Sequence, residues 1–309
     1  MRRVIGIGET LLDIIFKDNK PHTAIPGGSV FNGSVSLSRL GIPVDFIGDA
    51  GLDRVGQFIA DFMKENGMTT EYLNFFSDGR SPLSLAFLNE SNDAEYLFYT
   101  DYPKHSPEII LPKISQDDIV ILGSYYALNP LHHERIVELL DDAKKNRAIV
   151  YYDLNFRKAH AHEIVKIRPI VMDNYEYASI VRGSEEDFLN LYGKTDMEKV
   201  YKDEVAFYCQ QLITTHGTGG VHIFTKKLQT HYDVPHVVEP VSTIGAGDNF
   251  NAGIVYGLIK YNIKYTDIPN LSDCDWSRIV HCGMDLATEA CLSYSNYISQ
   301  EFASAYQTL

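Results

Sequence analysis

Apolar runs of strand length alternate with runs of helical spacing through the second half of the chain. Strand-like apolar runs occupy residues 119–123, 149–153, 179–181, 211–215, 221–225 and 228–234. Apolar positions recur at helical intervals in residues 131–145, 164–172 and 185–191, which lie between the first four of these runs. Strands and helices that alternate at this spacing form right-handed βαβ units and a parallel sheet. We therefore predict an α/β fold with a central, mostly parallel sheet.

The amino-terminal third combines this pattern with a predicted β-hairpin. Residues 3–8 and 44–47 have the composition of buried strands, and residues 31–40 and 55–66 have the spacing of helices. Residues 84–89 and 95–99 are apolar or alternating runs joined by a polar turn, which is typical of a hairpin. With residues near 22–25, the hairpin is predicted to form a small β-sheet outside the main layers. A last helix is predicted near 276–291, followed by a polar tail.

Composition and charge restrict the class of protein. The 309 residues include 45% apolar side chains, enough for a globular domain with a sizeable core. The net charge of −14 is spread along the chain, so we expect neither nucleic acid nor an anionic membrane as a main partner. The four cysteines lack C-x-x-C spacing, and no apolar run has the length of a membrane span or of a signal-peptide core. These features predict a cytoplasmic protein with reduced thiols.

Residues 240–257 carry the strongest chemical pattern. A polar, glycine-rich run passes there into apolar residues with helical spacing, so Gly245, Ala246 and Gly247 are predicted to precede a helix. That helix is predicted to start near Asp248. The first amides of a helix have no intrahelical acceptor and the helix dipole adds positive charge, which together predict an anion site. Asp248 fits two roles there, either a helix-stabilising first-turn acid or a proton acceptor beside a bound phosphate.

Polar residues also follow two of the predicted strands. Asp13 follows the first strand, and Asp153, Asn155 and Arg157 come at the end of the strand at 149–153. Ligands of open α/β sheets bind at the carboxyl ends of the strands, which makes Asp13 a candidate ligand-binding residue, with a solvated loop acid as the alternative. The planar fork of Arg157 suits a phosphate or a sugar carboxylate, with a salt bridge to Asp153 as the alternative.

Four motifs along the chain resemble those of the PfkB family of carbohydrate kinases, which have the ribokinase-like fold. Residues 242–248, Ser-Thr-Ile-Gly-Ala-Gly-Asp, resemble the D-T-x-G-A-G-D signature of that family. Residues 27–32 are similar to its G-G-x-x-x-N motif, and residues 48–56 to its G-D-x-x-G-x-x-x-G stretch. Residues 153–157 resemble the D-x-N-x-R motif of the fructokinase-like and ketodeoxygluconate-kinase-like branches.

The resemblance implies an architecture as well as a chemistry. It implies a three-layer αβα sandwich, with a central mostly parallel sheet and a small β-sheet lid. One kinase domain is expected over residues 1–309, with lid segments at about 14–26 and 83–103. Because such a lid often forms a dimer contact in the family, a homodimer through the lid is expected.

Site roles follow from the same resemblance. Asp248 is expected to be the catalytic base, in an anion hole formed by Gly245, Ala246 and Gly247. The residues expected to bind the sugar are Asp13, Gly28, Asn32, Asn155 and Arg157.

Two further segments are expected to hold the nucleotide and its metal ion. The turn formed by Thr215, Gly217 and Gly220 resembles the T-x-G-x-x-G turn that meets the nucleotide in the family. Ser184 and Asp187 stand where the family has an N-x-x-E motif that organises Mg²⁺, and Glu186 competes with Asp187 for that role. A serine followed three residues later by an acid also predicts a helix N-cap.

Together these roles predict a sugar kinase that uses ATP and Mg²⁺ and phosphorylates a primary hydroxyl. The branch favours fructose or a similar hexose; the alternatives are ribose, a ketodeoxy sugar acid, a nucleoside, or a catalytically silent sugar- or nucleotide-binding regulator. Ser242 replaces the aspartate that contributes to a monovalent-cation site in the family, so little dependence on potassium is expected. The helix N-terminus is expected to hold the pKa of Asp248 low, which would make it a weak base.

Overall fold

The structure is a computed structural model that describes residues 2–90, 92, 94–103, 110–234 and 239–307. These residues form two β-sheets. The strands of this part of the chain are β1 (Val4–Ile7), β2 (Leu11–Lys17), β3 (Lys20–Gly27), β4 (Val44–Gly51), β5 (Leu73–Phe76), β6 (Arg80–Leu88), β7 (Ala94–Asp101), β8 (Ile119–Gly123), β9 (Ile149–Asp153), β10 (Ile180–Ser184), β11 (Gln211–Thr215), β12 (Val221–Thr225) and β13 (Gln229–Tyr232).

The larger sheet has nine strands in the order β13-β12-β11-β10-β9-β8-β1-β4-β5. Neighbouring strands are parallel from β11 through to β5. β12 and β13 add two antiparallel strands at one edge. The predicted mostly parallel sheet is therefore confirmed.

Helices cover both faces of this sheet. In the described ranges they are α1 (Ser29–Arg39), α2 (Arg54–Glu65), α3 (Pro130–Asn146), α4 (Ile164–Tyr177), α5 (Glu185–Tyr192), α6 (Met197–Val200), α7 (Ala246–Lys260), α8 (Asp273–Ala290) and α9 (Gln300–Tyr306). Short 3₁₀ segments lie at Tyr126–Leu128, Lys158–Glu163, Gly217–Gly219 and Ile268–Asn270, and a π-helical turn at Tyr201–Val205.

The core consists of two layers because successive residues of a strand point to opposite faces of the sheet. Val4 and Tyr151 pack with α1, α2, α7 and α8 on one face. Their neighbours Ile5 and Tyr152 pack with α3, α4 and α5 on the other. This arrangement is the predicted three-layer αβα sandwich. Within the described ranges, no helix combines the length and the apolar character needed to cross a lipid bilayer.

The small sheet contains β3, β2, β6 and β7 in that order. β2 pairs antiparallel with β3 and parallel with β6, and β6 pairs antiparallel with β7 in the predicted hairpin. Ile15, Ala86 and Leu88 of this sheet form an apolar cluster with Ile244, so the sheet packs on the loop before α7. Two residues of the predicted hairpin turn, 91 and 93, lie outside the described residues. The division into one domain with a lid stays a prediction.

Several elements differ from the sequence predictions. β2 was not predicted, because its buried positions include the charged Asp13, which interrupts the apolar alternation. β5 was also missed. The predicted polar tail is wrong in part, since Ser299 caps α9 and the helix buries Ala303 and Tyr306. α7 begins at Ala246, two residues before the predicted start.

Candidate active site

A cavity of about 950 Å³ lies between the carboxyl ends of the central strands and the small sheet. Its walls include all the residues predicted to bind the sugar: Asp13, Gly28, Asn32, Asn155 and Arg157. They also include most residues predicted to meet phosphate or metal: Gly245, Gly247, Asp248, Ser184, Glu186 and Asp187. The remaining predicted residues, Ala246, Thr215, Gly217 and Gly220, are not part of the walls. The structure thus brings the predicted sugar and phosphate groups together around one space.

The turn before α7 has the shape expected of an anion site. Gly245 caps the helix with a φ of 78°, in the left-handed region that favours glycine. The amide of Ala246 donates to the carbonyl of Thr243 at 3.2 Å, so the turn itself uses this amide. The amides of Gly247 and Asp248 are the next in the first turn of α7, where amides have no intrahelical acceptor.

Asp248 lies in the first turn of α7 and faces the cavity. Its Oδ2 accepts a 2.8 Å hydrogen bond from the side-chain amide of Asn32, which lies in α1. Burial raises the pKa of Asp248 to about 7, although the bond from Asn32 opposes this shift. The expectation of a low pKa is therefore wrong, because loss of hydration outweighs the hydrogen bond from Asn32 and the charges of Arg157 and Arg182. A carboxyl group with this pKa can accept a proton at neutral pH.

Asp13 lies in β2 with only 5% of its surface exposed. Its Oδ2 accepts a 2.6 Å hydrogen bond from Nδ2 of Asn296, a residue that sequence reasoning missed. Burial raises the pKa of Asp13 to about 6, so the carboxyl is still mostly ionised at pH 7. A desolvated carboxylate is a strong acceptor for a hydroxyl donor.

The cavity walls include two arginines, Arg157 and Arg182, which have different partners. The alternative salt bridge between Arg157 and Asp153 does not form, because Asp153 pairs with Arg182 at 2.9 Å between Nη1 and Oδ1. Arg157 lies over the ring of Tyr96, 5.5 Å from its centroid. Since Tyr96 belongs to β7, Arg157 faces the small sheet, whereas Arg182 lies beside the turn before α7.

Ser184 and Asp187 form the predicted helix cap. The Ser184 hydroxyl accepts from the Asp187 amide at 3.2 Å, and Oδ2 of Asp187 accepts from the Ser184 amide at 2.6 Å. Glu186 lines the cavity beside them. Among the described side chains no group of three or more His, Cys, Asp or Glu residues could hold a metal ion. A cation here would need water and phosphate oxygens as further ligands, which is the usual coordination of Mg²⁺.

The turn after β11 contacts the site indirectly. The hydroxyl of Thr215 accepts a 2.6 Å hydrogen bond from Nη2 of Arg182. Gly217 and Gly220 have positive φ values of 46° and 101°, which a turn of this kind needs. This segment therefore contacts Arg182, a residue of the cavity wall, and does not line the cavity itself.

Sequence reasoning missed several residues of the cavity walls: Glu9, Tyr96, Tyr102, His160 and Arg182. Glu9 accepts a 2.7 Å hydrogen bond from the Ser124 hydroxyl, and burial raises its pKa. Its position just after the first strand was an available signal. The tyrosines come from the distant hairpin segment, and no local pattern relates them to the site.

Comparison with known proteins gives the family. Residues 1–301 match the pfkB family of carbohydrate kinases. The chain belongs to that family, and it is a phosphotransferase with an alcohol group as acceptor.

Individual relatives are similar at moderate identity. A probable fructokinase of Arabidopsis thaliana is 25% identical over 272 residues, which cover 83% of this chain and 82% of the relative. A 5-dehydro-2-deoxygluconokinase of Clostridium botulinum is 29% identical over 276 residues, which cover 83% and 81%. Among solved structures, a double mutant of the fructokinase of Vibrio cholerae, with fructose, ADP and a potassium ion bound, has a TM-score of 0.84 at 20% identity. The match covers 99% of this chain and 98% of that one, and it confirms the ribokinase-like fold.

Proposed function

We propose that this chain transfers the γ-phosphoryl group of ATP to a primary hydroxyl of fructose or a similar hexose, with Asp248 as the base. The observation that carries the proposal is the position of the Asp248 carboxylate. It lies in the first turn of α7, accepts a hydrogen bond from Asn32 and faces the cavity that Asp13 also lines. A sugar hydroxyl and a phosphate can therefore meet beside one proton acceptor.

The proposed mechanism assigns a task to each side of the cavity. Asp13 and Asn32 hold hydroxyl groups of the sugar, and the amides of Gly247 and Asp248 hold the phosphoryl oxygens. As the acceptor oxygen bonds to the γ-phosphorus, its proton passes to the Asp248 carboxylate and the bond to the ADP oxygen breaks. Mg²⁺, when bound, would supply positive charge to the phosphates, held through water by Glu186 or Asp187.

The charges around the sugar side favour a neutral acceptor rich in hydroxyl groups. Glu9 and Asp13 both present carboxylates to the cavity, which suits hydroxyl donors and repels a sugar acid. Arg157 supports a second candidate, a ketodeoxy sugar acid whose carboxylate it could bind in a bidentate pair. The Clostridium botulinum relative, a 5-dehydro-2-deoxygluconokinase, makes this candidate worth testing.

A coupled assay of ADP release separates these functions. The purified protein would be given ATP, Mg²⁺ and in turn fructose, glucose, ribose, 2-keto-3-deoxygluconate, 5-dehydro-2-deoxygluconate and adenosine. We expect the highest kcat/KM with fructose. A higher value with a sugar acid would favour the second candidate. Ligand binding without ADP release from any acceptor would contradict the kinase proposal and favour a silent regulator.

The same assay, run with and without potassium, tests the consequence of Ser242. The Ser242 hydroxyl is buried and accepts a 3.2 Å hydrogen bond from the Ile244 amide. A neutral hydroxyl in this position supplies no charge to a cation, so turnover should change by less than about twofold when potassium is added. Strong activation would show that other oxygens complete a cation site.

The pKa of Asp248 predicts the pH dependence of the reaction. The base must be ionised, so kcat/KM should be constant well above pH 7 and fall about tenfold per pH unit below it. The midpoint should lie near 7, the pKa of the carboxyl in the free protein. Initial rates between pH 5.5 and 9 at low sugar concentration give kcat/KM and therefore the midpoint of its pH profile. A profile that stays flat down to pH 5.5 would contradict the role of Asp248.

Replacing Asp13 by asparagine should weaken sugar binding without weakening nucleotide binding. The amide keeps the size of the side chain, but the charged acceptor is lost, which costs about 1.5–3 kcal/mol or roughly 10- to 100-fold in Kd. Calorimetry with fructose and with ADP measures both affinities. Asp118→Asn is the control, because Asp118 is equally buried but lies at the amino end of β8. Unchanged fructose affinity in Asp13→Asn would remove Asp13 from the sugar site.

A homodimer through the small sheet is also part of the proposal. β7 is an edge strand of that sheet, and Leu97, Phe98 and Tyr99 are 49%, 48% and 59% exposed. An exposed apolar edge strand is a template for pairing with another chain. Sedimentation velocity should therefore give a dimer, and Tyr99→Lys should shift it towards the monomer. A monomer at all concentrations in the unaltered protein would contradict this arrangement.

We further propose that the protein acts in the cytoplasm. Its cysteines, Cys209, Cys274, Cys282 and Cys291, are all free. Unpaired thiols are typical of a reducing compartment.

A further inference from the structure

Arg182 is a buried arginine at the centre of the main sheet, and its protein contacts use only part of its guanidinium group. It lies in β10 and is 7% exposed. Nη1 donates to Asp153 at 2.9 Å, and Nη2 donates to the Thr215 hydroxyl at 2.6 Å. Nε is buried and has no hydrogen-bond partner in the described part of the chain. Since a guanidinium group carries five N–H donors, several remain for a ligand.

The surroundings of Arg182 fix its position. Asp153 holds it from β9 and Thr215 from β11, and its guanidinium carbon lies 5.8 Å from the centroid of the Phe250 ring in α7. The second oxygen of Asp153 accepts a 2.8 Å hydrogen bond from Asn251, which ties the ion pair to α7 as well. A cation that is held in this way need not reorganise when negative charge develops beside it.

The guanidinium group lies against the turn that begins α7. A Cβ atom on Gly247 would be 3.4 Å from Nη2 and 3.5 Å from Nη1 of Arg182, which is van der Waals distance, so the guanidinium group lies directly beside this residue. Arg182 lines the same cavity as Asp248. A phosphoryl group bound to the first amides of α7 would therefore also meet Arg182.

We propose that Arg182 is a catalytic residue that donates hydrogen bonds to the phosphoryl group during transfer; this inference rests on the phosphoryl-transfer function proposed above. In the reaction, the acceptor oxygen bonds to the γ-phosphorus, the bond from that phosphorus to the ADP oxygen breaks, and the hydroxyl proton passes to Asp248. The oxygens of the moving group stay negatively charged throughout. Bonds from a fixed guanidinium to these oxygens favour the transition state if they are best formed there.

Arg157 is the second arginine of the cavity, and its charge also acts on Asp187, Asp248 and Glu186. It lies over the ring of Tyr96 in β7, a strand of the small sheet. Of the two, Arg182 is the one whose guanidinium group lies against Gly247, and the phosphoryl role is therefore assigned to it. Asp153 acts through Arg182 and is a positioning residue.

The test compares Arg182→Met, which removes the charge, with Arg182→Lys, which keeps it but loses the fork. We expect Arg182→Met to lower kcat about 50-fold, with the KM for sugar changed less than about threefold, and Arg182→Lys to recover part of the loss. The control is Arg2→Met. Arg2 is also partly buried with an unpartnered nitrogen, but it binds the Leu258 and Ile263 carbonyls at the far end of α7. This variant should lose stability and keep kcat.

A binding measurement makes the test specific for the transition state. ADP with Mg²⁺ and aluminium fluoride, a mimic of the moving phosphoryl group, is compared with ADP and Mg²⁺ alone. We expect Arg182→Met to bind the mimic about 50-fold more weakly and ADP nearly as well as the unaltered protein. Equal losses for both ligands, or an unchanged kcat, would overturn the proposal and leave Arg182 a structural residue.

A double variant and an assay of the unaltered protein distinguish a loss of catalysis from a failure to fold and from a failure of the proposed function. If Arg182→Met does not fold, because it leaves the Asp153 carboxylate buried without its cation, the double variant Arg182→Met with Asp153→Asn removes both charges. The same losses of kcat and of mimic binding are expected from it, and their absence would overturn the proposal. The unaltered protein is assayed first with every acceptor. Absence of transfer there counts against the proposed function, whereas transfer that survives in Arg182→Met counts against Arg182 alone.

Discussion

Asp248→Asn is expected to lower kcat about 1000-fold, because an amide cannot accept the proton of the attacking hydroxyl. Nucleotide affinity should change little, since the amides of Gly247 and of residue 248 remain in place. The variant should fold normally. The pKa of Asp248, about 7, lies above its ordinary value of 3.8, so its ionised form lowers stability increasingly as pH rises between these values. Asparagine carries no charge and has no such cost in stability. The melting temperature of the variant at pH 8 should therefore equal or exceed that of the unaltered protein.

Asp275→Asn is the matched control for this variant. Asp275 is the third residue of α8, as Asp248 is the third residue of α7, and it forms a capping box with Ser272. Its replacement should cost about 0.5–1 kcal/mol of stability and leave kcat unchanged. Near-normal turnover in Asp248→Asn, measured by ADP release at saturating sugar and ATP, would show that the base lies elsewhere.

Gly245→Ala is expected to damage both stability and catalysis. Gly245 has a φ of 78°, and a Cβ atom there would lie 2.6 Å from the carbonyl oxygen of Asn296. The strained backbone and the clash together should lower the free energy of unfolding by about 3 kcal/mol. The backbone of Asn296 would have to move, and the side chain of Asn296 donates to Asp13, so both the turn before α7 and Asp13 would shift. We expect kcat/KM to fall at least about 100-fold.

Gly193→Ala separates the effect of the strained backbone from the effect of the clash with Asn296. Gly193 also has a positive φ, 67°, at the end of α5, but a Cβ atom there would meet nothing within 4 Å. Its replacement should cost only about 1 kcal/mol, measured by urea unfolding, and leave catalysis unchanged. If Gly245→Ala and Gly193→Ala lose the same stability and both keep activity, the contact between Gly245 and Asn296 has no role in the site.

Much of the fold follows from local patterns. The runs at 119–123 and 149–153 are continuous apolar strands, and the helices between the strands show clear helical spacing, so β8, β9 and the parallel sheet could be predicted. β2 could not, since one of its inward positions is the charged Asp13. A strand with a carboxylate among its buried residues becomes recognisable only when β3 and β6 are seen beside it.

Some features of the candidate site could also be predicted from the sequence, and others could not. The glycines of the turn before α7 and the acid that follows them are adjacent in the chain, so their pattern is visible without a structure. Arg157 and Asp153 are also close in sequence, which suggested a salt bridge that the structure does not contain. Asp153 pairs with Arg182 because β9 and β10 are neighbours in the sheet, and their side chains at the carboxyl ends meet across it.

The sequence by itself determined the class of fold, the glycine-rich turn at the start of α7 and the identity of Asp248 as a candidate base, because each depends on residues near one another in the chain. Only the tertiary structure decided the pKa of Asp248, the partner of Asp153 and the position of Asp13 beside Asn296. Each of these depends on hydration or charge that distant segments control, and desolvation has no signature in a local pattern.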